Sequence, residues 1–248
     1  FLTAAAGAAA GYAIDRSLRF NSGDSAYLNR TFSAGNRKTW TWSGWVKRSG
    51  FGRQQIFGSV TSSSVFGTLE FDSSNRLNYY DSSLSSDSSL SVFTTSRVFR
   101  DPSAWLHIVI AVDSGNSTAA DRCKVYINGI REEAFDIAVS VTSGADGQLN
   151  SATQHNIGSW TPASSSLNLN AYLADVQFVD GQALAPTDFG ETDSSGIWQP
   201  KAYSGSYGTT GFHLKFADNS TDAALGTDSS GNSNTWTVNN LQASTGDT

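Results

Sequence analysis

The Asn128-Gly129 pair, set between two runs of alternating residues, constrains the fold of this chain more than any other feature. Such a pair is among the strongest short-range signals for a β-hairpin, and a hairpin implies an antiparallel sheet. Residues 105–113 form an apolar run rich in β-branched residues, which indicates a buried strand beside the hairpin. Residues 38–47 alternate with period two. These patterns predict an all-β fold, an antiparallel β-sandwich.

The composition of the 248-residue chain fits a single large sandwich. Its 23 Gly residues and low charge content of 15% suit many short strands joined by polar turns, and 12% aromatic residues supply bulky core material. We expect an N-terminal arm over residues 1–13 and one sandwich domain over residues 14–240. Residues 241–248 are predicted to start a linker or a C-terminal extension.

Charge and cysteine content argue against several classes of protein. The single Cys123 cannot form an internal disulfide or a multi-cysteine zinc site. A net charge of −6 with scattered Lys and Arg disfavours a nucleic-acid partner, because phosphate binding needs clustered basic residues. No apolar stretch approaches the roughly 20 residues that cross a bilayer, so we expect no membrane span and no targeting segment.

Several segments resemble, in order and spacing, the strands of a known fold family. They are residues 41–47, 105–113, 124–130 and 171–184. These segments are similar to strands of concanavalin A-like, laminin-G-like jelly-roll domains, and the similarity covers roughly residues 14–190. The resemblance implies a jelly-roll sandwich, a rigid scaffold that presents ligand sites on its loops or on one sheet.

A second group of segments resembles a narrower branch of this family that is common in virion proteins of marine bacteriophages. These segments are residues 180–191, 196–201, 225–232 and 235–240. The resemblance implies a protein on the virion surface, such as a head fibre, a decoration protein or a tail fibre. It further implies other virion proteins and host-surface carbohydrate as partners. We expect homo-oligomerisation, because fibres and decorations repeat.

The same fold hosts endoglucanases, which need two carboxylates flanking the scissile bond. In that branch the acids lie on one strand in a Glu-x-Asp-x-x-Glu pattern. Here Glu70-Phe-Asp72-Ser-Ser-Asn75 has Asn75 where the second catalytic Glu belongs. The sequence also has no Gly-x-Ser-x-Gly elbow and no zinc-ligand spacing. We therefore predict no enzymatic activity; the alternative is a secreted glucanase-like carbohydrate-active enzyme or a bacterial adhesin module.

Sugar binding generally combines an exposed aromatic face with polar groups, because an apolar pyranose face stacks on a ring while its rim needs hydrogen bonds. Aromatic residues in Gly-, Ser-, Thr- and Pro-rich surroundings are the ligand-binding candidates, namely Trp160, Trp198, Tyr203 and Tyr207. The alternative for each is a ring that closes the end of the core. The rings assigned to packing are Trp40, Trp42, Trp45 and Trp105.

Calcium is an open question, because laminin-G-like domains often hold it with loop carboxylates and carbonyls. Residues 218–222 and 228–232 offer oxygen ligands, and we take Asp218, Asp222 and Asp228 as candidate calcium ligands. Both segments are equally good turn sequences, and neither matches a full calcium-loop signature. No other cofactor is expected.

Overall fold

The computed structural model describes residues 11–160 and 167–243, which contain seventeen strands. The strands are β1 Leu18–Phe20, β2 Tyr27–Thr31, β3 Thr39–Arg48, β4 Gln54–Ser62, β5 Val65–Phe71, β6 Arg76–Asp81, β7 Ser91–Val98, β8 Leu106–Asp113, β9 Cys123–Ile127, β10 Ile130–Arg131, β11 Phe135–Ile137, β12 Gln154–Ile157, β13 Ala171–Asp180, β14 Gly190–Thr192, β15 Trp198–Pro200, β16 Phe212–Leu214 and β17 Thr237–Asn239. Short 3-10 segments lie at Ser22–Asp24, Ala119–Asp121, Pro186–Asp188 and Ala223–Gly226. No helix in this part of the chain is long and apolar enough to cross a membrane.

Two antiparallel sheets make up the body of the protein. Sheet A has the strand order β1-β13-β3-β8-β9-β10, with β16 also paired to β13. Sheet B has the order β11-β7-β6-β5-β4-β12-β2-β17. The late strands β16 and β17 therefore join sheets that the first part of the chain begins. The predicted fold class, an all-β antiparallel sandwich, is confirmed.

The core lies between the inner faces of the two sheets. On β3, Trp40, Trp42 and Val46 share one side of the strand and are at most 1% exposed. The Trp40 ring stacks on Phe178 of β13 at 5.7 Å and meets Tyr79 of β6 edge-on at 5.8 Å, so it connects the two sheets. Burying each such side chain contributes about 1.5–3 kcal/mol, which lets the aromatic layer stabilise the sandwich without a disulfide.

The predicted hairpin forms at Asn128 and Gly129. Ile127 pairs with Ile130, and the two turn residues have φ angles of 49° and 78°, as a type I′ turn requires. The chain then leaves sheet A after β10 and enters sheet B as β11, beside β7. This crossing places the Phe135 ring 5.9 Å from that of Phe93, against the core.

The outer face of sheet A carries apolar residues that a later part of the chain covers. Val109 of β8 and Val179 of β13 are fully buried beneath Phe189 and Tyr207. The covering segment, residues 184–207, contains the small β14–β15 hairpin. This segment is a partial third layer on the sandwich, and it borders the candidate site.

Candidate functional site

A groove of about 480 Å³ lies on the outer face of sheet A, between residues 12–17 and the strand β15. Three tryptophans line it, Trp45, Trp105 and Trp198. Polar side chains on its rim are those of Asp15, Arg16, Ser17 and Gln199. We call this site the tryptophan groove.

Strands β3 and β13 form the floor of the tryptophan groove. Because Trp42 and Val46 face the core, the alternation of β3 turns Trp45 outward. In register, Trp45 lies between Ala174 of β13 and His107 of β8. Its ring stacks on that of His107 at a centroid distance of 4.8 Å. Strand register thus fixes the floor.

Trp198 of β15 brings the third ring into the groove. Its Nε1 donates to Nδ1 of His107 at 2.9 Å. Its indole also packs against Gly129 and Gly190, where a Cβ atom at either position would lie 2.4 Å from the ring. Gly129 therefore has two roles. Its φ of 78° allows the hairpin turn, and the absence of a side chain leaves room for the Trp198 ring.

His107 holds the floor and the third ring together. Because the indole N–H can only donate, His107 accepts at Nδ1 and carries its proton on Nε2, which lies 2.9 Å from Oγ of Ser43. Burial lowers the pKa of His107 to about 4, and the charge of Asp175 only partly opposes this. The imidazole is therefore neutral at pH 7, as its role of hydrogen-bond acceptor requires.

The wall of the groove is the segment 12–17, which Tyr12 attaches to sheet A. The Tyr12 hydroxyl donates to Oδ1 of Asp175 at 2.7 Å, and that oxygen also lies 2.6 Å from Nε2 of His213. Asp175 sits at a register irregularity of β13 with a φ of 48°. Burial alone would raise the pKa of Asp175, but hydrogen bonds from His213, Tyr12 and Gln177 bring it below its ordinary value.

The structure separates the four aromatic residues predicted to bind ligand. Trp198 lies in the tryptophan groove. Tyr203 and Tyr207 belong to the covering layer, where Tyr203 stacks on Phe189 at 5.1 Å and Tyr207 is 9% exposed. Trp160 is 8% exposed and packs on Phe66, on the outer face of sheet B. These three rings cover sheet faces, because both sheets carry outward apolar residues that need burial.

Trp45 and Trp105, which the sequence analysis assigned to packing, instead line the groove beside Trp198. Both are half-buried, whereas Trp40 and Trp42 are buried in the core as expected. A signal for Trp45 was present in the sequence, because an odd-numbered ring on a strand whose even-numbered rings face the core must point outward. Trp105 likewise lies two residues before the outward-facing His107, so its side chain is expected on the same side of the sheet.

A family model described as the concanavalin A-like lectin/glucanases superfamily matches residues 20–188. The chain belongs to this superfamily. The match includes Trp45 and Trp105 and ends before Trp198. The groove therefore combines two rings of the superfamily scaffold with one ring from the segment that follows it.

Solved structures that are similar to the chain share little sequence with it. A Bacteroides ovatus protein proposed to bind carbohydrate is 12% identical, with a TM-score of 0.56 over 90% of this chain and 57% of its own. A native heptameric SAP-like pentraxin from Limulus polyphemus is 16% identical, with a TM-score of 0.45 over 68% of this chain and 77% of its own. A Trypanosoma rangeli sialidase is 11% identical, with a TM-score of 0.43 over 61% of this chain and 22% of its own. Among curated proteins, no sequence matches the chain.

The superfamily's name includes glucanases, so the positions of the acidic residues matter. Glu70 lies on the outer side of sheet B, is fully buried, and accepts hydrogen bonds from Nε and Nη2 of Arg53 at 2.7 and 3.2 Å. Burial raises the pKa of Glu70 to about 7, although Arg53 opposes the shift. Asn75, where a second acid would be expected, accepts from Nη1 of Arg48 at 3.1 Å and from the N–H of Gly52 at 2.8 Å. It holds a loop rather than facing Glu70 across a cleft.

The three candidate calcium ligands each accept hydrogen bonds from the backbone. Asp218 accepts the backbone N–H of Ser220, and Asp222 accepts that of Ala243. Asp228 accepts three backbone N–H groups with its two oxygens. Within residues 11–160 and 167–243, no group of three His, Cys, Asp or Glu side chains is arranged to hold a metal ion.

Proposed function

We propose that this chain is a non-enzymatic, lectin-like domain of a virion surface protein, a head fibre, decoration or tail fibre, that contacts host-surface glycans through the tryptophan groove. The observation that carries the proposal is the convergence of Trp45, Trp105 and Trp198 on one groove. Its volume of about 480 Å³ lies within the range of small-molecule sites, roughly 300–1,000 Å³.

The groove has the chemistry that a sugar needs. Indole rings offer flat apolar surfaces for the C–H face of a pyranose, while the hydroxyl rim of the sugar needs donors and acceptors. The rim of the groove supplies both kinds of group, through the carboxylate of Asp15, the guanidinium of Arg16 and the amide of Gln199. The ring of Trp198 is held by His107, so little side-chain freedom is lost there on binding.

Several features favour binding over catalysis. The carboxylate of Glu70 is bound by Arg53, and the neighbouring carboxylate of Asp72 is bound by Arg76. The Tyr207–His213–Asp175 chain has hydrogen bonds of 3.0 and 2.6 Å, but Tyr207 and His213 are under 10% exposed. Burial also raises the pKa of Tyr207 well above its ordinary value, which makes it a poor nucleophile.

The virion setting is supported by the resemblance of residues 180–191, 196–201, 225–232 and 235–240 to phage virion proteins. One of these segments contains Trp198, which ties the groove to the part of the chain that carries this resemblance. The description of the Bacteroides ovatus protein as carbohydrate-binding agrees with the proposed ligand class. On this proposal the protein is extracellular on the particle, contacts other virion proteins and forms homo-oligomers.

A glycan array followed by titration calorimetry tests the proposal. Trp105→Ala should weaken binding by about 2 kcal/mol, roughly 30-fold, as for a central aromatic contact. Trp105 is the cleanest choice because its ring makes no hydrogen bond or ring contact with the rest of the described chain. Trp160→Phe, on the opposite sheet, is the control and should bind like the natural chain.

Three outcomes would count against the proposal. Absence of binding to every glycan would favour a purely architectural role on the particle. Equal loss of binding in both variants would move the site away from the groove. Release of reducing ends from laminarin or agarose oligosaccharides would favour the glucanase-like alternative, and gold labelling of particles would decide the virion setting.

A further inference from the structure

A row of basic side chains crosses the outer face of sheet A next to the tryptophan groove. In register, Tyr172 of β13 lies between Arg19 of β1 and Lys47 of β3. All three positions share the outward parity of Trp45 and Ala174, which line the groove. The guanidinium of Arg19 lies over the Tyr172 ring at 5.2 Å.

Strand geometry places Lys47 beside both Trp45 and Trp105. Lys47 is two residues from Trp45 on the same face of β3, about 7 Å along the strand. Leu106, the first residue of β8, pairs with Val46, so Trp105 immediately before it falls beside Lys47. Lys47 thus lies on the sheet next to the two rings on which a sugar would stack.

The basic groups nearest the rings have no partner that would neutralise them. The side chains of Lys47 and Arg16 form no hydrogen bond or ion pair with a residue in the described part of the chain. By contrast, Arg19 is engaged, since its Nη2 donates to Asn170 at 2.5 Å. These free cations occur in a chain with a net charge of −6, so the groove together with the adjoining face of sheet A is a local exception to the overall charge.

We infer that the groove selects acidic oligosaccharides, whose carboxylate or sulfate groups pair with Lys47 and Arg16 while the sugar rings stack on Trp45 and Trp105. This inference rests on the proposed function and names its ligand class. Among the described residues that line the groove, Asp15 is the one carboxylate and Arg16 the one cation. Arg19 and Lys47, on the adjoining part of the same sheet face, add two further positive charges. Asp175, behind the wall, is already bound by His213 and Tyr12.

Titration of three oligosaccharide probes of equal length tests the inference: neutral laminarin, carboxylated polygalacturonate and sulfated carrageenan. At least one acidic probe should bind more tightly than the neutral one. Comparison of the carboxylated with the sulfated probe then identifies the anionic group that the groove prefers. Lys47→Gln should weaken acidic binding by about fivefold, the upper value for an exposed ion pair, and leave neutral binding unchanged. Arg16→Gln should weaken acidic binding more than neutral binding, because Arg16 also lines the groove as a donor to sugar hydroxyls. Raising the ionic strength from about 0.1 M to about 1 M should remove most of the difference.

Lys124→Gln is the matched control, because Lys124 is a lysine on the same face of sheet A but far from the groove. Lys124 pairs with Ala111 of β8, and Ala111 pairs with Thr41 of β3. Thr41 is about 20 Å along β3 from Lys47. It should bind all probes like the natural chain. Tighter or equal binding of the neutral probe, or equal effects of Lys47→Gln and Lys124→Gln, would overturn the inference and leave the proposed function standing. Failure of all probes, together with an empty glycan array, would instead overturn the proposed function.

Discussion

Replacing Glu70 by glutamine should change how the free energy of unfolding depends on pH. Burial raises the pKa of Glu70 from 4.5 to about 7 in the folded chain, against the opposing charge of Arg53. Between these values the folded protein holds a proton that the unfolded chain has released. The contribution of Glu70 is therefore complete below pH 4.5 and is lost as the pH rises toward 7.

The magnitude follows from the shift. One pKa unit corresponds to about 1.4 kcal/mol, so the loss between pH 4.5 and 7 is on the order of 3 kcal/mol. Glu70→Gln has no such titration, so its stability relative to the natural chain should rise by this amount over the same range. His107 and His155, whose pKa values burial lowers to about 4, destabilise both proteins equally on acidification and cancel in the difference.

Urea denaturation of both proteins at half-unit pH steps from 4.5 to 8 measures the difference. Arg53→Gln gives a second arm, because removing the guanidinium should move the midpoint of the Glu70 titration to higher pH. A stability difference that stays flat across this range would refute the reasoning. It would mean that Arg53 keeps Glu70 ionised at all these pH values, despite its full burial.

Two further experiments test the packing of the groove and the candidate calcium ligands. Gly129→Ala should destabilise the protein by about 1–3 kcal/mol in thermal unfolding, because alanine is strained at a positive φ. It should also weaken glycan binding, because the added methyl group displaces the Trp198 ring. Unchanged unfolding and binding would contradict the packing described. Addition of calcium or of EDTA should leave the melting temperature unchanged, because the carboxylates of Asp218, Asp222 and Asp228 already accept backbone N–H groups. A rise in melting temperature with calcium would instead show that these carboxylates bind the ion.

The fold was predictable because its signals are local. The Asn128-Gly129 turn and the alternation over residues 38–47 each lie within one hairpin or one strand, and the structure places strands at both. The groove was only partly predictable, because its rings come from three separated parts of the chain. The loop-like surroundings of Trp198 indicate a ligand-binding ring, but the residues beside it are set by strand register, which depends on contacts distant in sequence.

The covering layer explains why Tyr203 and Tyr207 pack on sheet A rather than line the groove, and the sequence contains a signal for this layer. A sandwich with two layers needs apolar residues on one side of each strand, yet residues 105–113 are apolar at nearly every position. Both Ile108, which faces the core, and Val109, which faces outward, are fully buried. Such a run in an antiparallel sheet requires a third layer over its outer face. In this chain residues 184–207 supply that layer, so aromatic residues there are expected in the cover, and only a ring at its edge, such as Trp198, can face a ligand.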